Sequence, residues 1–266
     1  MIMTSPDGDA SSVHEALIED QFTRQAELFA GASVLHDSAA LEALVRAASP
    51  DTNDTTLDVA CGPGTVVAAF SKHVRHAVGL DATDAMLDQA RKLTAHRSLT
   101  NVSWRKGDVT ALPFADAMFD VVSCRFAVHH FEDPAKAVAE MVRVCRQGGR
   151  LVICDAVASD DPAKASAFNA MERLRDPSTV EFRTLAFLAN LFLDAGLPTP
   201  TQTFYQVRVE TEALLKMSFP LDDDRERLRA IIRGSIDGDK MGVNARERNG
   251  KILFGYPSVI LAATKL

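Results

Sequence analysis

Between residues 55 and 156 the chain alternates short apolar runs with helical segments, and no other feature constrains its folding as much. TTLDVA (55–60) has a strand pattern and leads into a helix to about Lys72. RHAVGL (75–80) and DAMLDQARKLTAH repeat the pair. NVSWRKG (101–107), FDVVSCR (119–125) and GRLVICDA (149–156) supply three more strands. Repeated strand–helix–strand units of this length place the strands parallel in one sheet, with helices over both faces. The helix after the fourth strand is signalled most fully. Asp133 is its N-cap, Pro134 its first residue, and Val138, Met141, Val142 and Cys145 form a stripe at i, i+3, i+4 and i+7. Gly148 and Gly149 are read as its stop. After Asp155 the rhythm changes. Residues 157–195 and 212–248 read as helical, TQTFYQVRVE (201–210) as a sixth strand and YPSVILAATKL (256–266) as a seventh.

The ends and the charge set further bounds. Residues 1–14 are dense in Ser, Asp, Gly and Pro and are expected to be disordered, with residues 15–266 forming a single domain. A net charge of −7 gives no drive toward nucleic-acid phosphates, so no nucleic-acid partner is expected. No apolar run approaches the roughly 18 residues of a membrane span, and MIMTSPDGDASSVHE lacks the basic-then-apolar order of a secretory signal. Cys61, Cys124, Cys145 and Cys154 form no C-x-x-C pair and read as buried free thiols of a reducing, cytoplasmic compartment.

TTLDVACGPGT ends the first strand on Asp58 and turns on Gly62 and Gly64 into a helix. Such a turn lets a ligand approach the backbone and the unpaired N–H groups of the next helix. It is a poor dinucleotide fingerprint, because Val67 stands where a third glycine belongs, and no Gly-Lys-Ser/Thr follows for a P-loop. Asp58 would repel a pyrophosphate and suits a ligand that is positive near the glycines.

D-V-A-C-G-P-G-T resembles the first motif of class I S-adenosylmethionine-dependent methyltransferases, an acid followed by G-x-G. V-G-L-D, D-A-M-L-D-Q-A-R, K-G-D-V-T-A-L-P-F, F-D-V-V-S-C-R-F-A-V-H-H-F and R-Q-G-G-R-L-V-I-C-D resemble the later motifs in order and spacing, with Gln147 in place of a usual proline. F-T-R-Q-A-E-L-F, L-P-F (112–114), H-H-F (129–131) and E-R-L-R-D-P-S-T-V (172–180) resemble the ubiquinone/menaquinone-biosynthesis-type, small-molecule branch (methyltransferase domain 11). The resemblance implies an α/β, Rossmann-like doubly wound seven-stranded sheet, mostly parallel with the last strand antiparallel. It also implies a helical lid over 15–50 and helical cap or substrate elements at 157–200, inserted after strand five, and at 211–250.

The implied cofactor is S-adenosyl-L-methionine, with S-adenosyl-L-homocysteine as product. Its implied contacts are Asp58, Ala60, Gly62 and Gly64 at the first turn, and Asp81, Ala82 and Met86 at the second, with Asp81 on the ribose and Met86 on the adenine. Gly107, Asp108 and Val109 follow at the third, Arg125 and Phe126 at the fourth, and Gln25 and Phe29 on the lid. Methyl transfer from a sulfonium depends on positioning, and an oxygen or carbon acceptor also gains from a base. His129, His130 and Arg125 are the catalytic candidates. Phe22, His36, His130, Met171 and Arg175 are the candidates for the substrate pocket. Adjacent histidines without a nearby acid or cysteine do not form a metal set, so no metal is expected. The expected partner is a small, partly apolar acceptor, and the chain is expected to be a monomer or homodimer. The alternatives are a methyltransferase-like cyclase or lyase using bound cofactor non-canonically, and a cofactor-binding protein with no catalysis.

Overall fold

A computed structural model describes residues 7–32, 36–222 and 224–266. Helix α1 (Asp7–Gly31) and helix α2 (Ser38–Ala48) precede the sheet. Then come β1 (Thr55–Val59), α3 (Thr65–Phe70), β2 (His76–Asp81), α4 (Asp84–His96), β3 (Val102–Lys106) and β4 (Phe119–Arg125). A single 3-10 turn at Val128–His130 leads to α5 (Pro134–Val144) and β5 (Cys145–Ala156). The second half holds α6 (Pro162–Arg175), α7 (Leu185–Asp194), β6 (Thr201–Glu210), α8 (Thr211–Lys216), α9 (Arg225–Gly234), β7 (Arg246–Arg248) and β8 (Lys251–Thr264).

The strand order is β3-β2-β1-β4-β5-β8-β6, with β7 added along β8. The first five strands are parallel, and β8 runs antiparallel to both β5 and β6. The chain winds outward in one direction from β1 and in the other from β4. The crevice between their carboxyl ends is therefore the switch point, where ligands bind in such sheets.

Apolar burial fixes the layers. One face packs Leu57, Phe119, Met141, Leu151 and Phe192 under α5 and α7. The other packs Leu44, Val67, Phe70 and Ile260 under α2 and α3. A third cluster, with Phe168, Met171, Phe182, Leu228, Ile232 and Tyr256, joins α6 and α9 to the first half of β8. Fully burying one such side chain contributes about 1.5–3 kcal/mol.

Four expectations change. The sheet has eight strands, not seven, because Asn249 and Gly250, both at positive φ (53° and 72°), close a two-residue hairpin between β7 and β8. That hairpin also ends the stretch 212–248 expected to be helical. Helix α1 starts at Asp7, within the segment expected to be disordered, while residues 1–6 of that segment lie outside the described ones. The Asp133 cap is present, its carboxylate accepting from the Lys136 amide, but α5 stops at Val144 rather than at the glycines. Gly148 (φ 71°) instead lies in an irregularity of β5, between its pairings Phe119–Cys145 and Val121–Arg150. Replacing Asp133 with alanine should lower stability by about 1 kcal/mol, read as a shift in the urea midpoint without a change in slope.

Candidate functional site

A cavity of about 780 Å³ lies over the carboxyl ends of β1 to β4. Each strand end delivers part of its floor: Asp58, Ala60 and Gly62 from β1, and Asp81, Ala82 and Met86 from β2. Gly107, Asp108 and Val109 come from β3, and Arg125 and Phe126 from β4. The roof is α1, through His14, Glu15, Ile18, Glu19, Phe22 and Phe29. His130 and Phe131 close one side.

The glycine turn is held by Asp81. Its carboxylate accepts from the Gly62 amide at 2.8 Å and from the Thr83 amide at 3.0 Å. Gly62 (φ 51°) and Gly64 (φ 80°) both need the left-handed region. Ala60 and Phe126, the residues just past β1 and β4, sit there too (φ 54° each) although neither is glycine. Strain of this kind concentrates at functional sites.

Burial sets the charges. It pushes the Asp58 carboxyl up to about 7, against the Ser123 hydroxyl that donates to it at 2.6 Å and the charge of Arg125. It also raises Asp81, despite the Thr83 and Gly62 amides. The His130 imidazole is driven down to about 3 by burial and then by His129, so it is neutral through the physiological range. Burial works against the Asp176 carboxylate, but His130, Arg175 and donors from Gln25 and Ser178 outweigh it and hold the group at about 2. The Arg125 guanidinium lies 4.7 Å over the Phe126 ring.

Of the residues expected at a site, six stand elsewhere. Gly64 is under the floor, where an added Cβ would lie 2.6 Å from the Trp104 ring. Gln25 is fully buried and donates to Asp176 at 3.0 Å, so it does not line the cavity. His129 turns its Nδ1 to Asp155 at 2.8 Å and stacks on Phe182, with centroids 4.0 Å apart. His36 bonds the Ala30 carbonyl at 2.8 Å. Met171 is core of the third cluster, and Arg175 pairs with Glu172 at 2.8 Å. His14, Glu15, Ile18 and Glu19 were missed as lining. Extending the Phe22/Phe29 face backward by two helical turns would have found them. Among the described residues no group of three His, Cys, Asp or Glu could hold a metal, and no helix is long and apolar enough to cross a membrane.

Residues 57–153 match the methyltransferase domain family. Over 249 residues the chain is 35% identical to a protein of Bacillus subtilis named uncharacterized methyltransferase YcgJ, spanning 93% of this chain and 98% of that one. The chain belongs to the methyltransferase family. The crystal structure of the Bacillus subtilis YcgJ protein superposes with a TM-score of 0.78 at 28% identity, over 85% of this chain and 98% of that chain. A demethylmenaquinone methyltransferase of Clavibacter sepedonicus is 32% identical over 149 residues, 56% of this methyltransferase and 60% of its own length. The resemblance to class I S-adenosylmethionine-dependent methyltransferases of the ubiquinone/menaquinone-biosynthesis type, read above from the motifs, therefore holds.

Proposed function

We propose that this methyltransferase moves a methyl group from S-adenosyl-L-methionine to an oxygen or carbon of a small, partly apolar acceptor, releasing S-adenosyl-L-homocysteine. The observation that carries the reading is the pair of buried carboxylates, Asp58 and Asp81, at the ends of adjacent strands on either side of a glycine turn. They fit a cofactor with a cationic methionine end and a neutral ribose, and they do not fit a pyrophosphate. When bound, S-adenosyl-L-methionine supplies a methyl on a sulfonium, which leaves as a neutral thioether when its carbon bonds to the acceptor.

The chain's own residues then have separate tasks. Asp81 anchors the ribose hydroxyls and keeps the turn shaped. Asp58 faces the cationic end. Met86, Val109 and Phe126 give an apolar bed, and α1 excludes water from above. His130 faces the acceptor and receives its proton. The cap after β5 lies outside the matched family segment, which ends at residue 153.

Asp58 gives this reading a pH signature. Its folded value of about 7 lies above the ordinary 3.8, so its contribution to stability is complete below about pH 4 and is lost as pH rises toward 7. A cation docking beside it reverses the shift. Binding of S-adenosyl-L-methionine at about pH 6 should thus release up to about one proton, and at about pH 9 none. Calorimetry in buffers of different ionisation enthalpy reads this directly. Equal proton release in wild type and Asp58→Asn would remove Asp58 from the site.

The activity test uses labelled S-adenosyl-L-methionine with a panel of phenols, quinols and polyketides. Tight cofactor binding with no label transferred to any of them would count against methyl transfer. With an acceptor in hand, His130→Ala should slow turnover by about 100-fold.

A further inference from the structure

The two ring nitrogens of His130 meet different surroundings. Nδ1 lies 3.0 Å from the Ser178 carbonyl oxygen and 3.2 Å from the Ser178 Oγ. Nε2 makes no hydrogen bond among the described residues and is not one of the buried atoms closed off without a partner, while His130 lines the cavity. A carbonyl oxygen only accepts, so the contact requires hydrogen on Nδ1. The Ser178 hydroxyl is the group that could reverse this, by donating to Nδ1. Its hydrogen is committed elsewhere: Oγ donates to Asp176 Oδ1 at 2.5 Å, and the same oxygen accepts from the Ser178 amide at 3.0 Å. Asp176 is buried and is held in turn by the Gln25 amide at 3.0 Å and by Arg175, whose nearest nitrogen is 3.9 Å away. An ionised carboxylate has no hydrogen to give, so it compels the hydroxyl to face it.

We propose that Asp176, acting through Ser178, is a positioning residue that fixes His130 as the Nδ1–H tautomer, so that the cavity-facing Nε2 only accepts and the methyl acceptor must bring a hydrogen, as a hydroxyl does. This rests on the methyl-transfer reading and narrows it to phenols, enols and alcohols. A carboxylate or phosphate would set its lone pairs against that of Nε2. As the acceptor oxygen gains its bond to the methyl carbon, its O–H bond breaks toward Nε2. The imidazolium formed keeps Nδ1–H on the Ser178 carbonyl and returns the proton to solvent.

The test is long-range proton–nitrogen correlation of the histidine rings in the uniformly nitrogen-15-labelled full chain, with His130 assigned by the signal lost in His130→Gln. Wild type should show a single Nδ1–H tautomer. Asp176→Ala should add the Nε2–H tautomer, because the Ser178 hydroxyl is then free to donate. Adding Ser178→Ala to Asp176→Ala removes that donor and should restore the wild-type pattern, a rescue that a merely structural role of Asp176 does not predict. An unchanged ring in Asp176→Ala, or no restoration in the double variant, overturns the proposal. So does an Nε2–H ring in wild type, which needs no variant to fold. Calorimetry with S-adenosyl-L-homocysteine on the same wild-type sample reports separately on the methyl-transfer reading, since cofactor binding does not depend on the tautomer.

Discussion

Asp81→Ala should weaken S-adenosyl-L-homocysteine binding by about 100-fold or more, about 2.8 kcal/mol at about 1.4 kcal/mol per factor of ten. Two losses add. The ribose hydroxyls lose a charged acceptor, and such bonds contribute about 1.5–3 kcal/mol each. The Gly62 and Thr83 amides also lose the carboxylate that shapes the turn. Asp81→Asn separates the two, because its amide oxygen still accepts from one backbone N–H while the charge is gone, and it should fall between alanine and wild type. Calorimetry on folded protein is the measurement. Folded wild type that binds neither S-adenosyl-L-methionine nor its demethylated product would reduce the glycine turn to a turn and remove the basis of the proposed function.

Gly64→Ala should be strongly destabilising. The residue stands at φ 80°, and a Cβ there would lie 2.6 Å from Trp104 Cη2 and 2.9 Å from Ala90 Cβ. A left-handed conformation costs a non-glycine residue about 1–2 kcal/mol, and overpacking typically adds about 1–3 kcal/mol. The sum is about 2–5 kcal/mol, a large part of a usual total of about 5–15 kcal/mol. For a chain of this size it should lower Tm by roughly 5–15 °C. Gly62→Ala is the control: φ is 51°, but nothing lies within 4 Å of its Cβ, so only the conformational part should appear. Equal losses in the two variants would remove Trp104 from the explanation.

The floor of the cavity was legible because its residues are local. Asp58, Gly62, Asp81, Asp108 and Arg125 each sit at a strand end or in the turn that follows, so spacing along the chain becomes position in the crevice. The roof was half legible. Phe22 and Phe29 announce a face, but nothing near them says that the same face continues to His14, or that Gln25 turns away to meet Asp176, 151 residues on. The histidine pair shows the limit most clearly. His129 and His130 have the same chemistry, and only Asp155 at the end of β5 and Ser178 beyond α6 decide which faces the cavity. Met171 and Arg175 fail similarly, because apolar and basic residues of a cap look alike whether they face a substrate or one another. The β7–β8 hairpin, by contrast, carries a local signal in Asn249-Gly250, but its first strand, Arg246–Arg248, is charged and exposed and has no apolar alternation to mark it.

Among the described residues, three hydrogen bonds tie the roof helix to partners far away along the chain: His14 to the His130 carbonyl, Gln25 to Asp176, and Gln21 to the Phe219 carbonyl. During synthesis α1 therefore waits for most of its anchors. When β5 has been made and the crevice walls can pair, two of the three ties do not yet exist. A nascent chain at that stage already has the cavity floor, the His130 carbonyl and helix α4 for α1 to pack on, and lacks the partners that fix Gln25 and Gln21. Long-range contacts of this kind form late, so α1 gains the ties of Gln25 and Gln21 only once residues 176 and 219 have been made.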